Sequence, residues 1–310
     1  MNVGLIDIDG GKFPNLVLMK LSAWHKKQGD TVNLISANDV LCGMNLFEDF
    51  GMIYGACVFS WNKHIADDLE KIGVRVGGIG TQKKDTLPHD IEHIMPDYSL
   101  YGVSEAYGFL SRGCPRHCPF CVVGDKEGLI SRKVADLSEF WCGQKKIVLC
   151  DPNLLACSER IDLLKQLADS KASIDINQGF DARLLNEEVI ELMNQIKIER
   201  VHFAWDTPRD SIVPQKLVEF NKLSKIQDYR KKTVYVLANY WSTHQEDRYR
   251  VEWLKANGFD PYVMVYDKWN APKITRKFQK YVNSKMLFHS KDCPSFDEYK
   301  RFAINNDGMF

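Results

Sequence analysis

The sequence predicts an α/β fold built as a small doubly wound parallel sheet, then a partial barrel of six β/α units, then a short carboxyl-terminal tail. Three observations predict it. Short apolar runs alternate with segments whose apolar residues recur at helical spacing, the pattern of parallel sheets. The alternation breaks once, between Thr86 and Leu100, where Pro88, Pro96 and several acids show no clear period. The 310 residues, 45% apolar and 26% charged, suit about two domains at roughly 100–200 residues each.

The first unit, residues 1–95, opens with an apolar strand from Val3 to Ile8 and the turn Asp9-Gly10-Gly11. A helix follows: Pro14 suits its first turn, Val17, Leu18, Leu21 and Trp24 recur at helical spacing, Lys20, Lys26 and Lys27 take the other face, and Gly29 ends it. Thr31–Ile35 and Ala56–Ser60 read as short buried strands. Ile65–Ile72 reads as a helix, and Val74–Gly77 as a further strand before the turn at Gly77, Gly78 and Gly80. Thr86–Leu100 reads as the linker.

Residues 104–270 restart the alternation with six strand-like runs: Ala106–Ser111, Lys146–Cys150, Ser173–Asn177, Arg200–Trp205, Thr233–Ala238 and Pro261–Tyr266. Helices are expected over Leu137–Gln144, Ser158–Asp169, Asn186–Gln195, Val213–Leu223 and Gln245–Asn257, the last closed by Gly258 in the left-handed conformation. Six units are too few for a closed eight-stranded barrel, so a partial barrel or an open sheet is indicated. In either geometry chemistry belongs at the carboxyl ends of the strands. Residues 271–310 form a basic extension.

Lys and Arg number 41 against 41 Asp and Glu, which argues against a wholly basic nucleic-acid binder. No run of about 18 apolar residues exists to span a membrane. The amino terminus has two acids in its apolar stretch and no cationic flank, so it does not read as a signal peptide, and a cytoplasmic location with no membrane partner is expected.

Nine cysteines are an odd number, and a large cytosolic chain has no need of disulfides. Cys42, Cys57, Cys142, Cys150, Cys157 and Cys293 are scattered and read as small buried hydrophobes. The other three stand in Gly113-Cys114-Pro115-Arg116-His117-Cys118-Pro119-Phe120-Cys121, directly after the first strand of the second unit, with the spacing C-x3-C-x2-C. Such a loop can wrap one side of a cuboidal [4Fe–4S] cluster and leave the fourth iron without a protein ligand, an open position for a small molecule. The alternative is a zinc knuckle on Cys114, Cys118 and Cys121 with His117 as fourth ligand, or a metal held purely for structure. Structural zinc loops usually pair two C-x2-C units, and no second pair stands in this chain.

This arrangement resembles the radical S-adenosylmethionine (radical SAM) superfamily, in which the methionyl amino and carboxylate groups of SAM chelate the unique iron. Phe120 fits that superfamily's preference for an aromatic or apolar residue before the third cysteine, where it packs near the adenine. The run Ala106-Tyr107-Gly108-Phe109-Leu110-Ser111-Arg112-Gly113-Cys114 is followed by Lys126-Glu127-Gly128, Asp151-Pro152-Asn153, Gln178-Gly179-Phe180-Asp181-Ala182-Arg183 and Phe203-Ala204-Trp205-Asp206. Together they look like a group of radical SAM proteins common in bacteria and their phages, and the likeness covers nearly the whole chain. The resemblance implies a [4Fe–4S] cluster and SAM as cofactors and reductive cleavage of SAM to a 5′-deoxyadenosyl radical that acts on a substrate. It also implies a reductant such as flavodoxin or ferredoxin. The first unit is similar to the cobalamin-binding-like domain of many relatives, yet none of the eight histidines stands in a D-x-H-x-x-G pattern, which argues against bound cobalamin.

The strand-end polar residues complete the expectation. Asp151 and Asn153 follow an apolar strand and would face the open iron, where the resemblance places contacts to the methionyl end of SAM; the alternative is an Asx-capped turn. Gln178, Asp181 and Arg183 follow the third strand, where Arg183 can fork onto a carboxylate and Asp181 accept ribose hydroxyls; the alternative is a capping salt bridge. Asp206 and Asn239 end the fourth and fifth strands on the same face, with simple capping as the alternative. Gly108 and Gly113 bracket the cysteine loop and permit close backbone approach. Residues 268–285 carry six Lys or Arg with Trp269, Phe278 and Tyr281 and no acid, either a nucleic-acid contact or, preferred, an amphipathic helix packing Ile274, Phe278, Tyr281 and Val282. An RNA-modifying or methyl-transferring role is the runner-up within the enzymatic reading.

Overall fold

Near-continuous apolar strands need cover on both faces, and the first unit supplies it. The computed structural model describes residues 1–10, 13–43, 50–81, 83 and 86–299. Its first sheet holds β1 (Asn2–Asp7), β2 (Thr31–Ile35), β3 (Met52–Ala56) and β4 (Arg75–Gly77), all parallel in the order β2-β1-β3-β4. Val3 and Leu5 of β1 pack on Leu18 and Leu21 of the helix Leu16–Lys27. Ile6 and Ile8 turn the other way, with Val40 of the helix Ala37–Leu41 and Ala66 and Leu69 of the helix Lys63–Lys71.

Four expectations for this unit shift. Thr31–Ile35 forms β2 at the sheet edge, but it is not a buried strand, since none of its five residues is buried and Leu34 is exposed. Asn15 caps the first helix, accepting from the backbone N–H groups of Val17 and Leu18, so Pro14 lies outside it. The third strand ends where Ala56–Ser60 was expected to begin. The N–H groups of Val58 and Phe59 donate to the Asp9 carboxylate at 2.6 and 3.3 Å instead of to a neighbouring strand. Thr86–Leu100 is a folded strap: Ile91, in the short helix His89–Glu92, is buried in the first core, and Asp97 accepts from Ser22 and Lys26 at 2.6 Å each. Gly11 of the expected turn lies outside the described residues.

The second unit contains β5 (Ala106–Gly108), β6 (Ser111–Arg112), β7 (Arg132–Lys133), β8 (Lys146–Leu149), β9 (Ser173–Phe180), β10 (Lys197–Ala204), β11 (Lys232–Ala238) and β12 (Asp260–Val265). Six of them form a parallel sheet in the order β12-β11-β10-β9-β8-β5, so each strand lies beside its predecessor in the sheet. The short β6 and β7 pair antiparallel. The expected strand Ala106–Ser111 is thus split, and β5 stops at Gly108, where a Cβ would meet the Phe140 ring at 2.3 Å. The helices Arg160–Ser170, Glu187–Met193, Ile212–Leu223 and His244–Ala256 match expectation, and Gly258 follows at φ +74. The expected helix Leu137–Gln144 is a single turn, Leu137–Glu139, with Gly143 at φ +104.

The basic stretch is the amphipathic helix Lys273–Asn283, which buries Phe278, Tyr281 and Val282 while Lys273 and Lys280 stay exposed. Phe288 and Phe296 join the same core, so residues 271–299 belong to the second unit rather than trailing from it. Residues 300–310 of the expected extension lie outside the described residues. Among the described residues no helix is long and apolar enough to cross a membrane.

Candidate metal and cofactor site

The cysteine loop leaves β6 through Gly113, whose φ of +91 and a would-be Cβ 2.2 Å from the Ile130 carbonyl oxygen admit only glycine. Glu127 fastens this point, accepting from the Gly113 N–H and from Arg112 Nη1, both at 3.2 Å. The Cys114 N–H donates to the Gly128 carbonyl at 3.0 Å. The segment Lys126-Glu127-Gly128 is therefore the clamp on the loop's entry. Arg116 supplies a second anchor, its Nε 2.5 Å from Asp181 Oδ2 beyond the end of β9.

Cys114, Cys118 and Cys121 carry free thiols and line one cavity of about 1020 Å³ that extends from the carboxyl ends of the sheet strands, at Gln178 and Asp206, back to the starts of β11 and β12 at Thr233 and Asp260. Burial first, then the charge of Asp206, pushes the Cys118 thiol above its ordinary range, against a smaller pull from Arg183. Burial does the same to Cys121, with Cys114 adding to it. Ionising Cys118 and Cys121 is thus unfavourable unless a cation stands beside them. His117 is exposed at φ +45 and does not line the cavity. Among the described residues no three His, Cys, Asp or Glu side chains converge as a single ion requires.

Asn153 stands behind Cys114, its Nδ2 3.4 Å from the Cys114 Sγ and its backbone carbonyl accepting from Ser131 at 2.9 Å. Its Oδ1 is buried without a hydrogen-bond partner, although Asn153 lines the cavity. Such an orphaned acceptor suits an amino or ammonium donor entering there.

Asp151 corrects the expectation that it faces the iron. Its buried carboxylate accepts from the N–H groups of Leu110 and Ser111 at 3.1 and 2.5 Å and from Ser111 Oγ at 2.8 Å. It locks the β5–β6 turn beneath the loop and does not line the cavity. Burial raises it to about 6, against those three bonds. Asn239 is a second correction: at φ +65 it donates to the Tyr266 carbonyl at 3.0 Å, tying the ends of β11 and β12 away from the cavity.

Gln178, Asp181, Arg183, Asp206 and Phe120 all line the cavity. Asp181 and Arg183 are already engaged with each other. Asp181 Oδ1 accepts from Arg183 N at 3.2 Å and Nε at 2.6 Å, and Arg183 Nη1 reaches Asp210 at 3.1 Å. Burial alone would raise Asp181, but Arg183 and Arg116 hold it below the usual carboxylate range. The capping salt bridge is therefore the arrangement present. Asp206 differs: no hydrogen bond engages its carboxylate among the described residues, and burial raises it to about 6. It is the free acceptor that Asp181 was expected to be. Phe120 stands edge-on to Tyr240 and Trp241 at 5.4 and 5.6 Å, forming an aromatic wall beside the thiols.

The sequence reading quoted Glu127 within a motif without giving it a role, and it missed Arg116, which also holds the loop, and Arg200, His202, Tyr235 and Tyr262, which line the far part of the cavity. The signal for these residues was period-two alternation, with Arg200 and His202 alternating with Val201 and Phe203, and Tyr235 set between Val234 and Val236. No protein-family model matches the chain, and a search of curated proteins returns no relative.

Proposed function

We propose that this chain is a radical SAM enzyme whose Cys114, Cys118 and Cys121 hold a [4Fe–4S] cluster. The six consecutive parallel strands are read as an open, partial barrel with the cavity as its interior. One observation carries the proposal: three free thiols of a C-x3-C-x2-C loop line a single large cavity together with the unpartnered buried oxygen of Asn153. A mononuclear zinc site needs donors converging at about 2.3 Å from one ion, whereas a cuboidal cluster offers each thiolate a separate iron. His117, the fourth ligand of the zinc alternative, is exposed and does not line the cavity with the three cysteines, which favours the cluster.

When bound, the cluster with SAM supplies one-electron cleavage of the sulfonium S–C5′ bond to methionine and a 5′-deoxyadenosyl radical that abstracts hydrogen. The chain's own residues do the rest. Glu127 and Arg116 hold the cysteine loop against the sheet ends. Asn153 Oδ1 would accept from the methionyl amino group, Asp206 would accept from amino or hydroxyl groups, and Phe120, backed by Tyr240, would stand on the adenine side.

Anaerobic reconstitution tests this. The loaded protein should be brown, hold about four irons per chain and form 5′-deoxyadenosine from SAM with dithionite, and Cys118→Ala should do none of these. Colourless protein with one tightly held zinc would overturn the reading.

A further inference from the structure

The cavity is longer than the cofactor site at its head. It runs along β10 from Ala204, two residues short of Asp206, to Arg200 in the first half of the strand, and four steps of strand at about 3.3 Å each make roughly 13 Å. At about 1020 Å³ it stands at the upper end of the volumes that hold one drug-sized ligand, roughly 300–1,000 Å³. A molecule anchored at the thiols leaves the far, open end free for a second one.

The walls of that end are flat. His202 stacks on Tyr235 with ring centroids 5.1 Å apart and planes within 5°, and Tyr262 stands edge-on to Tyr235 at 5.8 Å. The His202 ring is fixed by Nδ1, 2.8 Å from the Ile176 carbonyl. The floor is basic. Lys285 and His289 share one carboxylate, Asp260, at 2.7 and 2.8 Å, and Arg230 is taken by Asp228. Arg200 has no hydrogen bond or ion pair among the described residues; Asp175, its register partner on β9, lies towards Lys146 at 3.8 Å instead. An exposed guanidinium with an empty fork beside aromatic rings is an anion receptor with a stacking surface.

We infer that the far end of the cavity, at Arg200, binds the substrate, an elongated small molecule with a planar ring on Tyr235 and Tyr262 and a phosphate or carboxylate on Arg200. This rests on the head of the cavity being the SAM site, since only then does the ring-bearing molecule extend from the reacting centre towards Arg200.

The test is calorimetry on the full chain with two matched pairs, uridine 5′-monophosphate against uridine and orotate against uracil. The cysteine-to-serine triple variant at positions 114, 118 and 121 is measured in parallel. At least one anionic member should bind tenfold or more tighter than its neutral partner, in wild type and in the cysteine variant alike. A phosphate source shows in the first pair and a carboxylate source in the second. Arg200→Gln should abolish the preference and Arg200→Lys retain part of it. Equal binding within both pairs to wild-type protein, which needs no variant to fold, overturns the inference. An anion preference in a chain that takes up no iron would sink the cofactor reading and leave the anion site standing. Formation of 5′-deoxyadenosine without the preference would do the reverse.

Discussion

Arg116, midway between the first two cysteines, places its Nε 2.5 Å from Asp181 Oδ2, so the cysteine loop is pinned to the end of β9, which supplies another part of the cavity lining. Asp181 is nearly inaccessible, with 4% of its side chain exposed, and it serves Arg183 as well. Asp181→Asn should therefore cost about 1.5–3 kcal/mol at neutral pH in urea denaturation, since one acceptor now answers two guanidinium groups. The pH dependence has a definite sign. The folded carboxyl sits below its ordinary range, so its stabilisation is present above roughly pH 4 and is lost as pH falls through the depressed folded value. The gap between wild type and the variant should close in acid; a gap that widens there would refute the pairing.

Gly113 and Gly143 share positive φ values of +91 and +104 but differ in surroundings. A Cβ at Gly143 meets nothing within 4 Å, whereas at Gly113 it lands 2.2 Å from a backbone oxygen that cannot swing away. Gly143→Ala should show only the left-handed backbone cost, about 1 kcal/mol. Gly113→Ala should cost at least about 2–3 kcal/mol and lose iron uptake, because the loop entry must move off the Glu127 clamp. Equal melting temperatures for the two variants would show that the close approach does not matter.

What was legible in the sequence follows from which forces are local. The strands of the second sheet were readable because each is a short apolar run between helices of regular period, and the cysteine loop because its spacing is contiguous. β6 was not, since its split from β5 is imposed by Phe140, more than thirty residues on, closing against Gly108. Asp151 and Asn153 are two residues apart and looked equivalent, yet one is consumed under the β5–β6 turn and the other opens into the cavity. Only the fold decides which of two neighbouring strand-end side chains finds backbone donors. Arg116 was passed over for the same reason: its partner is 65 residues away.

Asn153 offers a separation of stability from binding. Its buried Oδ1 has no partner, so the folded protein without ligand already bears the cost of that desolvated acceptor. Asn153→Ala removes that cost together with one weak bond to Cys114 at 3.4 Å. The variant should melt within about 1 kcal/mol of wild type while binding SAM roughly tenfold more weakly after reconstitution, the worth of one good hydrogen bond. Loss of stability without loss of SAM affinity would mean that the oxygen faces no ligand.

Asp206 takes the same logic to a titratable group. Burial, only partly offset by Arg183 and Arg250, raises its carboxyl to about 6 from an ordinary 3.8. The folded chain thus binds this proton more tightly than the unfolded chain does. The group favours folding below about pH 4, and that benefit is lost as pH rises through 6, leaving a half-buried ionised carboxylate with no protein donor among the described residues. Asp206→Asn in metal-free protein should accordingly be more stable than wild type at pH 7, by about 1–3 kcal/mol for a shift of this size, and indistinguishable from it at pH 4. If Asp206 receives an amino or hydroxyl group of SAM, the same variant should form 5′-deoxyadenosine at least tenfold more slowly despite its firmer fold. Chemical denaturation at the two pH values, set beside turnover of the reconstituted protein, checks both halves. A variant that is less stable at pH 7 would show that the carboxylate is held by a partner and is not waiting for one.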